Sequence, residues 1–173
     1  MRTFLSLTIL VTSLATAAPV SAAELTRFEL HQREEVRLRH ERFVGNLRAQ
    51  AQREGIIVRV PQLFVYFTDL SAAWHLHGTR RGFERELGLV YEHGRRERSM
   101  VGIDRLLERT ITPGGESFTP ESLPEADLYL VLYRGDDCED CERVAGTVDE
   151  WLAGQDELEA VWIEIWIDRH EGD

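Results

Sequence analysis

Apolar residues gather in a few runs, and the polar residues around each run decide how it reads. The densest, Leu128-Tyr129-Leu130-Val131-Leu132-Tyr133, has no polar break and predicts a strand buried on both faces, ending in a turn over Arg134 to Asp137. Beyond it, Val144, Val148, Trp151 and Leu152 recur at helical spacing, which predicts a helix opening at Cys138-Glu139-Asp140-Cys141 and running to about Ala153. A second strand follows, Val161-Trp162-Ile163-Glu164-Ile165-Trp166-Ile167. Upstream, residues 56–67 are rich in β-branched and aromatic side chains, and Pro61 divides them into a short approach and a strand. After a turn at Thr68 to Ala72, Trp74-His75-Leu76-His77 alternates apolar and polar. Gly78 then precedes a helix from about Arg81 to His93 with Phe83, Leu87, Val90 and Tyr91 on one face.

Two segments have weaker patterns. Leu25 to about Glu54 reads as a long polar helix with a thin stripe of Val36, Phe43, Leu47 and Ala51, its charges alternating in sign and Gly55 closing it. The connector Glu97 to Asp127 holds a helix marked by Met100, Ile103, Leu106 and Leu107. Pro113-Gly114-Gly115, Thr119-Pro120 and Leu123-Pro124 follow, which predict a linker or a flap outside the core. At the start, Arg2 precedes a short apolar run from Phe4 to Val11, and Val20-Ser21-Ala22 offers small residues to a signal peptidase. Residues 1–22 are therefore expected to be a signal peptide, with the mature chain starting at Ala23 or Glu24. The expected location is periplasmic or secreted, where disulfides persist, with no stable membrane insertion after cleavage.

Composition narrows the chemistry. The chain has no lysine, which removes Schiff-base and lysine-nucleophile mechanisms. No Gly-x-Ser-x-Gly element supports a hydrolase elbow, and Gly114-Gly115 is too short for a phosphate loop. The net charge of −11 argues against a nucleic-acid partner. That charge is uneven: residues 23–115 carry 16 Arg against 13 acidic residues, and residues 116–173 carry 3 Arg against 18. Such asymmetry marks either a partner-binding face or two halves that pack together.

The chemistry-bearing feature is the Cys138-Glu139-Asp140-Cys141 sequence, whose cysteines are the only two in the chain. Two intervening residues place both sulfurs in one turn, close enough to bridge, and the free N–H groups of a helix start stabilise a thiolate on the first. Strand, Cys-x-x-Cys, helix and strand over residues 128–168 resemble the first half of a thioredoxin-like domain. Val60-Pro61, the following hairpin, Gly78 and the Phe83 helix resemble that family's second half. The halves stand in reversed order, so either the domain is circularly permuted or the likeness of the first half is accidental.

The resemblance implies an α/β fold, a thioredoxin-like sandwich with a central mixed sheet flanked by helices, plus the N-terminal helix of residues 23–55. Within residues 56–173 it implies a proline half (56–96), a linker (97–127) and a Cys-x-x-Cys half (128–173). It also implies a cis Val60-Pro61 bond beside the cysteines, so the catalytic set is Cys138, Cys141 and Pro61. Cys138, nearer the helix start, would attack and Cys141 would resolve the mixed disulfide. No cofactor or resident metal is expected; the expected partners are thiols or disulfides of exported proteins.

The surroundings depart from the family. Asp136, Asp137, Glu139, Asp140 and Glu142 crowd the pair, the aromatic before the first cysteine is absent, and Leu132 stands where some thioredoxins carry a buried Asp. A carboxylate some 7 Å away in a wet site disfavours a thiolate by roughly 0.5–1 kcal/mol, so several together match the helix-terminus term of about 1 kcal/mol. Cys138 is expected to titrate near or above the free value of about 8.5, and the pair to be a reducing or isomerising one. Two other readings stand beside this oxidoreductase: a non-catalytic thioredoxin-like binding module stapled by the disulfide, and a copper or zinc site in which His75 and His77 join the thiolates.

Overall fold

Leu128–Arg134 (β5) is buried at every position, and its neighbours explain why. In the structure, a computed structural model describing residues 24–36, 60–96 and 101–168, β5 lies inside a six-stranded sheet. The other strands are Leu25–Gln32 (β1), Gln62–Phe67 (β2), Ala72–His77 (β3), Thr110–Ile111 (β4) and Ala160–Trp166 (β6). Their order across the sheet is β3-β2-β5-β6-β1-β4. β5 runs parallel to β6 and antiparallel to β2; β6 and β1 are also parallel, and the two outermost pairs are antiparallel. A parallel pair needs a crossover, and helix Glu139–Ala153 (α3) supplies it between β5 and β6. The α/β class and the mixed central sheet expected from the sequence are what the chain forms.

Side chains alternate across the strands, so the sheet carries a core on each face. On one face Leu128, Leu130, Leu132 and Trp162 meet Val144 and Val148 of α3 together with Leu87 of helix Phe83–His93 (α1). On the other, Tyr129, Val131, Tyr133, Val161, Ile163 and Ile165 meet Ile103, Leu106 and Leu107 of the short helix Ile103–Leu107 (α2), with Phe118 and Ala126. Each fully buried leucine contributes about 1.5–3 kcal/mol relative to exposure.

Two expectations are corrected. Residues 25–32 are a strand and not the start of a helix. Their period is two: Thr26, Phe28 and Leu30 turn to the second face while Arg27 and Glu29 turn to the α3 side, where Arg27 Nη2 donates to Asp149 Oδ1 at 2.9 Å. Seven consecutive pairs with β6 outweigh the helical propensity of the charged residues. Helical backbone covers 34–36, with Val36 buried; the remainder of the expected helix, and the strand approach at 56–59, lie outside the described residues.

The connector is also core. Leu106 and Leu107 are fully buried and Phe118 is 5% exposed, its ring tilted against Phe28 at 5.0 Å. Three tyrosine hydroxyls on that face donate to connector carbonyls, Tyr66 to Val101 at 2.8 Å, Tyr129 to Pro124 at 3.0 Å and Tyr133 to Leu106 at 3.4 Å. Burial raises the pKa of Tyr66 and Tyr133, so both phenols stay protonated as donors. The helix expected around Ile103 is present; the flap is not. Among the described residues no helix is long and apolar enough to cross a membrane.

Candidate functional site

The end of β5 builds the site. After Arg134 the chain turns through Gly135, where an ideal Cβ would stand 2.8 Å from Asp168 Oδ2. That carboxylate accepts the Asp136 N–H at 2.8 Å and so pins the turn to the end of β6. Two residues later Cys138 is the N-cap of α3. Its carbonyl accepts from the N–H groups of Cys141 (2.9 Å) and Glu142 (3.2 Å), and its sulfur accepts from Cys141 N at 3.2 Å. The sulfurs of Cys138 and Cys141 are bonded at 2.03 Å, with Cα atoms 5.2 Å apart. Cys138 is half-buried and Cys141 fully buried, so an incoming thiol or disulfide meets Cys138 first.

Pro61 comes to the same end of the sheet. Val60-Pro61 is cis, as the resemblance implies. Gln62 pairs with Tyr133 on one side and His77 on the other, so Pro61 stands one step further on, where β5 runs out toward the cysteines. The Pro61 carbonyl accepts the Gly78 N–H at 2.9 Å, which fixes the proline step against the turn into α1. α1 and α3 have their N-termini at this end, and between residues 79–84 and Arg143, Val144 and Thr147 they leave an open cleft of about 540 Å³.

The acidic collar is exposed at Asp136, Asp137, Glu139, Asp140 and Glu142. Two of its members have arginine partners: Asp140 pairs with Arg143 at 2.9 Å, and Glu142 pairs with Arg134. The histidines belong elsewhere. His75 lies flat on Phe64 at 4.3 Å, within the face that packs on the connector, and its Nε2 is 3.0 Å from Gln62 Oε1. Burial, and then the charge of His77, hold its pKa down at about 4. Among the described residues no group of three or more His, Cys, Asp or Glu side chains comes together as metal ligands.

Arg134 is a residue that the sequence reading passed over. It closes β5 on the α3 face and is 5% exposed, the one buried arginine among the described residues. Nη1 donates to Glu164 Oε1 at 2.5 Å, Nη2 donates to Glu142, and the guanidinium lies 4.1 Å over the Trp166 ring. The sequence shows only that Arg134 and Glu164 are opposite charges, each in or at the end of an otherwise apolar run; that they meet is set by the parallel pairing of β5 and β6. In comparisons with known proteins, the chain matches no family model, no curated protein and no solved structure.

Proposed function

We propose that the chain is an exported thiol–disulfide oxidoreductase of circularly permuted thioredoxin-like fold, reducing or isomerising disulfides of other exported proteins. One observation carries the reading. The cysteine pair opens α3 at the end of the central strand β5, and the proline step that enters the β2–β3 hairpin stands at that same end. The two halves of the resemblance thus meet in space although their order in the chain is reversed. The packing of α1 and α3 on one face of the sheet supports the same reading.

In the reduced protein, the Cys138 thiolate attacks one sulfur of a substrate disulfide, forming a mixed disulfide and releasing the other substrate sulfur as a thiolate that takes up a proton. Cys141 then gives up its proton and attacks Cys138 Sγ. The Cys138–Cys141 bond forms, the substrate's second sulfur leaves as a thiol, and two electrons have passed to the substrate. An external dithiol restores the pair. The helix start favours the Cys138 thiolate, and the collar opposes it, which sets the pair on the reducing side.

Dithiothreitol-driven reduction of insulin tests this reading. Wild type is expected to turn over many times per molecule and Cys138→Ser not at all; wild type no faster than the dithiol alone overturns it. The second reading, a binding module stapled at its helix start, is favoured by the full burial of Cys141, and it predicts that absence of turnover together with a folded domain.

A further inference from the structure

We infer that Arg134 is a positioning residue for the cysteine pair, tying the first turn of α3 to β6 and presenting a buried positive charge to the thiolate formed on reduction. The inference rests on the oxidoreductase reading for its functional meaning, though not for its test. Arg134 stands four residues before Cys138, and its partner Glu142 immediately follows Cys141. Through Glu142 on one side and Glu164 and Trp166 on the other, the guanidinium links the turn that holds both sulfurs to the neighbouring strand. A methylene chain would hold that turn as well by packing. What an arginine adds is charge, and its Nε has no hydrogen-bond partner in the oxidised protein.

The charged and titratable groups around it come from each element packed there. β6 contributes Glu164, α3 contributes Glu142, and β1 contributes Glu29 and His31, with His31 in register beside Trp166. Glu164 is largely sheltered, with 21% of its side chain exposed, whereas Glu142 is 65% exposed. The inner carboxylate therefore anchors the guanidinium, and the outer one can swing into solvent. Once reduced Cys138 ionises, a new anion stands in the turn that carries Glu142, and Arg134, already bound to Glu142, is the buried cation at that turn to be shared between them. Arg143, the other arginine of this turn's surroundings, is 61% exposed and already held by Asp140, so water screens it.

The test is the alkylation rate of Cys138 in fully reduced protein at neutral pH, which follows the thiolate fraction and does not require turnover. Arg134→Met is expected to slow alkylation about threefold, while Arg134→Lys, which keeps the charge and loses the fork, stays near wild type. A merely structural tie predicts no such split: lysine cannot bridge two carboxylates as the fork does, so Lys and Met would shift together. That result overturns the inference. If the Met variant does not fold, Glu142→Gln decides against Glu139→Gln, a like carboxylate of the same turn without a tie to Arg134. The first is expected to speed alkylation clearly more than the second, because it also frees the guanidinium; equal effects overturn the inference. Insulin turnover of the wild type reads the oxidoreductase proposal separately, so loss of one leaves the other standing.

Discussion

His75 supplies a prediction whose sign and size follow from its surroundings. Its ring is sandwiched against Phe64 with Gln62 on its edge, and burial first, then His77, hold its pKa at about 4. In the unfolded chain the same imidazole titrates near the ordinary value of about 6.5. The folded value is the lower one, so the unfolded state takes up a proton first as pH falls. Stability from this group is full above about pH 6.5, declines as pH drops toward about 4, and levels off below that. A shift of this size corresponds to at most about 3 kcal/mol at 1.36 kcal/mol per unit, and partial exposure of the ring reduces it to about 1–2 kcal/mol. His75→Phe keeps a ring on Phe64 and removes the titration, at a pH-independent loss of the Gln62 contact of about 1 kcal/mol. Urea unfolding followed by tryptophan fluorescence at about pH 7.5 and about pH 5 gives the comparison. Wild type should lose about 1 kcal/mol more than the variant between those two values, since this window spans roughly three fifths of the shift. Parallel loss in the two proteins would refute the reasoning and place His75 in contact with water.

Three further outcomes are expected. Phe118→Ala should cost about 3 kcal/mol in the same unfolding assay, because the ring is packed on Phe28 in the second core; a flap residue would cost under about 0.5 kcal/mol. Asp137→Asn with Asp140→Asn should lower the Cys138 pKa by about one unit, read from alkylation against pH, and high salt should reproduce part of the shift. An unchanged profile would mean that the collar points away from the sulfurs. Gly135→Ala should cost about 1 kcal/mol, since the new methyl meets Asp168 Oδ2 and the Asp136 N–H loses its acceptor; thermal unfolding that matches wild type would show that Asp168 yields without loss.

The strands were readable where apolar and β-branched residues dominate a run, as in Leu128 to Tyr133 and, with Glu164 the one charge, Val161 to Ile167. There burial on both faces leaves no other structure open. β1 was not readable, because Arg27 and Glu29 sit at the exposed rim of the α3 face and give the segment the look of a solvated helix. What makes it a strand is β6, a partner more than a hundred residues away. The connector misled for a related reason. Its buried residues are few and separated by prolines, so no period is visible, yet three tyrosine hydroxyls on the sheet wait for its carbonyls. The cysteine pair was legible from spacing alone, and the cis proline from the family likeness. Arg134 was not, since a single charge at a strand end is ordinarily solvated and only the fold sets α3 over it.

The central claim is that Cys138 attacks and Cys141 resolves, and mixed-disulfide formation tests it most directly. Reduced Cys141→Ser and reduced Cys138→Ser are each mixed with oxidised glutathione at neutral pH, and the adducts are followed by intact mass against time. The account predicts that Cys141→Ser acquires one glutathione quickly through the half-exposed Cys138, while Cys138→Ser stays unmodified because its remaining thiol is buried beneath the first turn of α3. Rapid modification of Cys138→Ser with Cys141→Ser inert would reverse the assignment. Two inert variants would mean that the pair does not exchange, and that its bond is a staple.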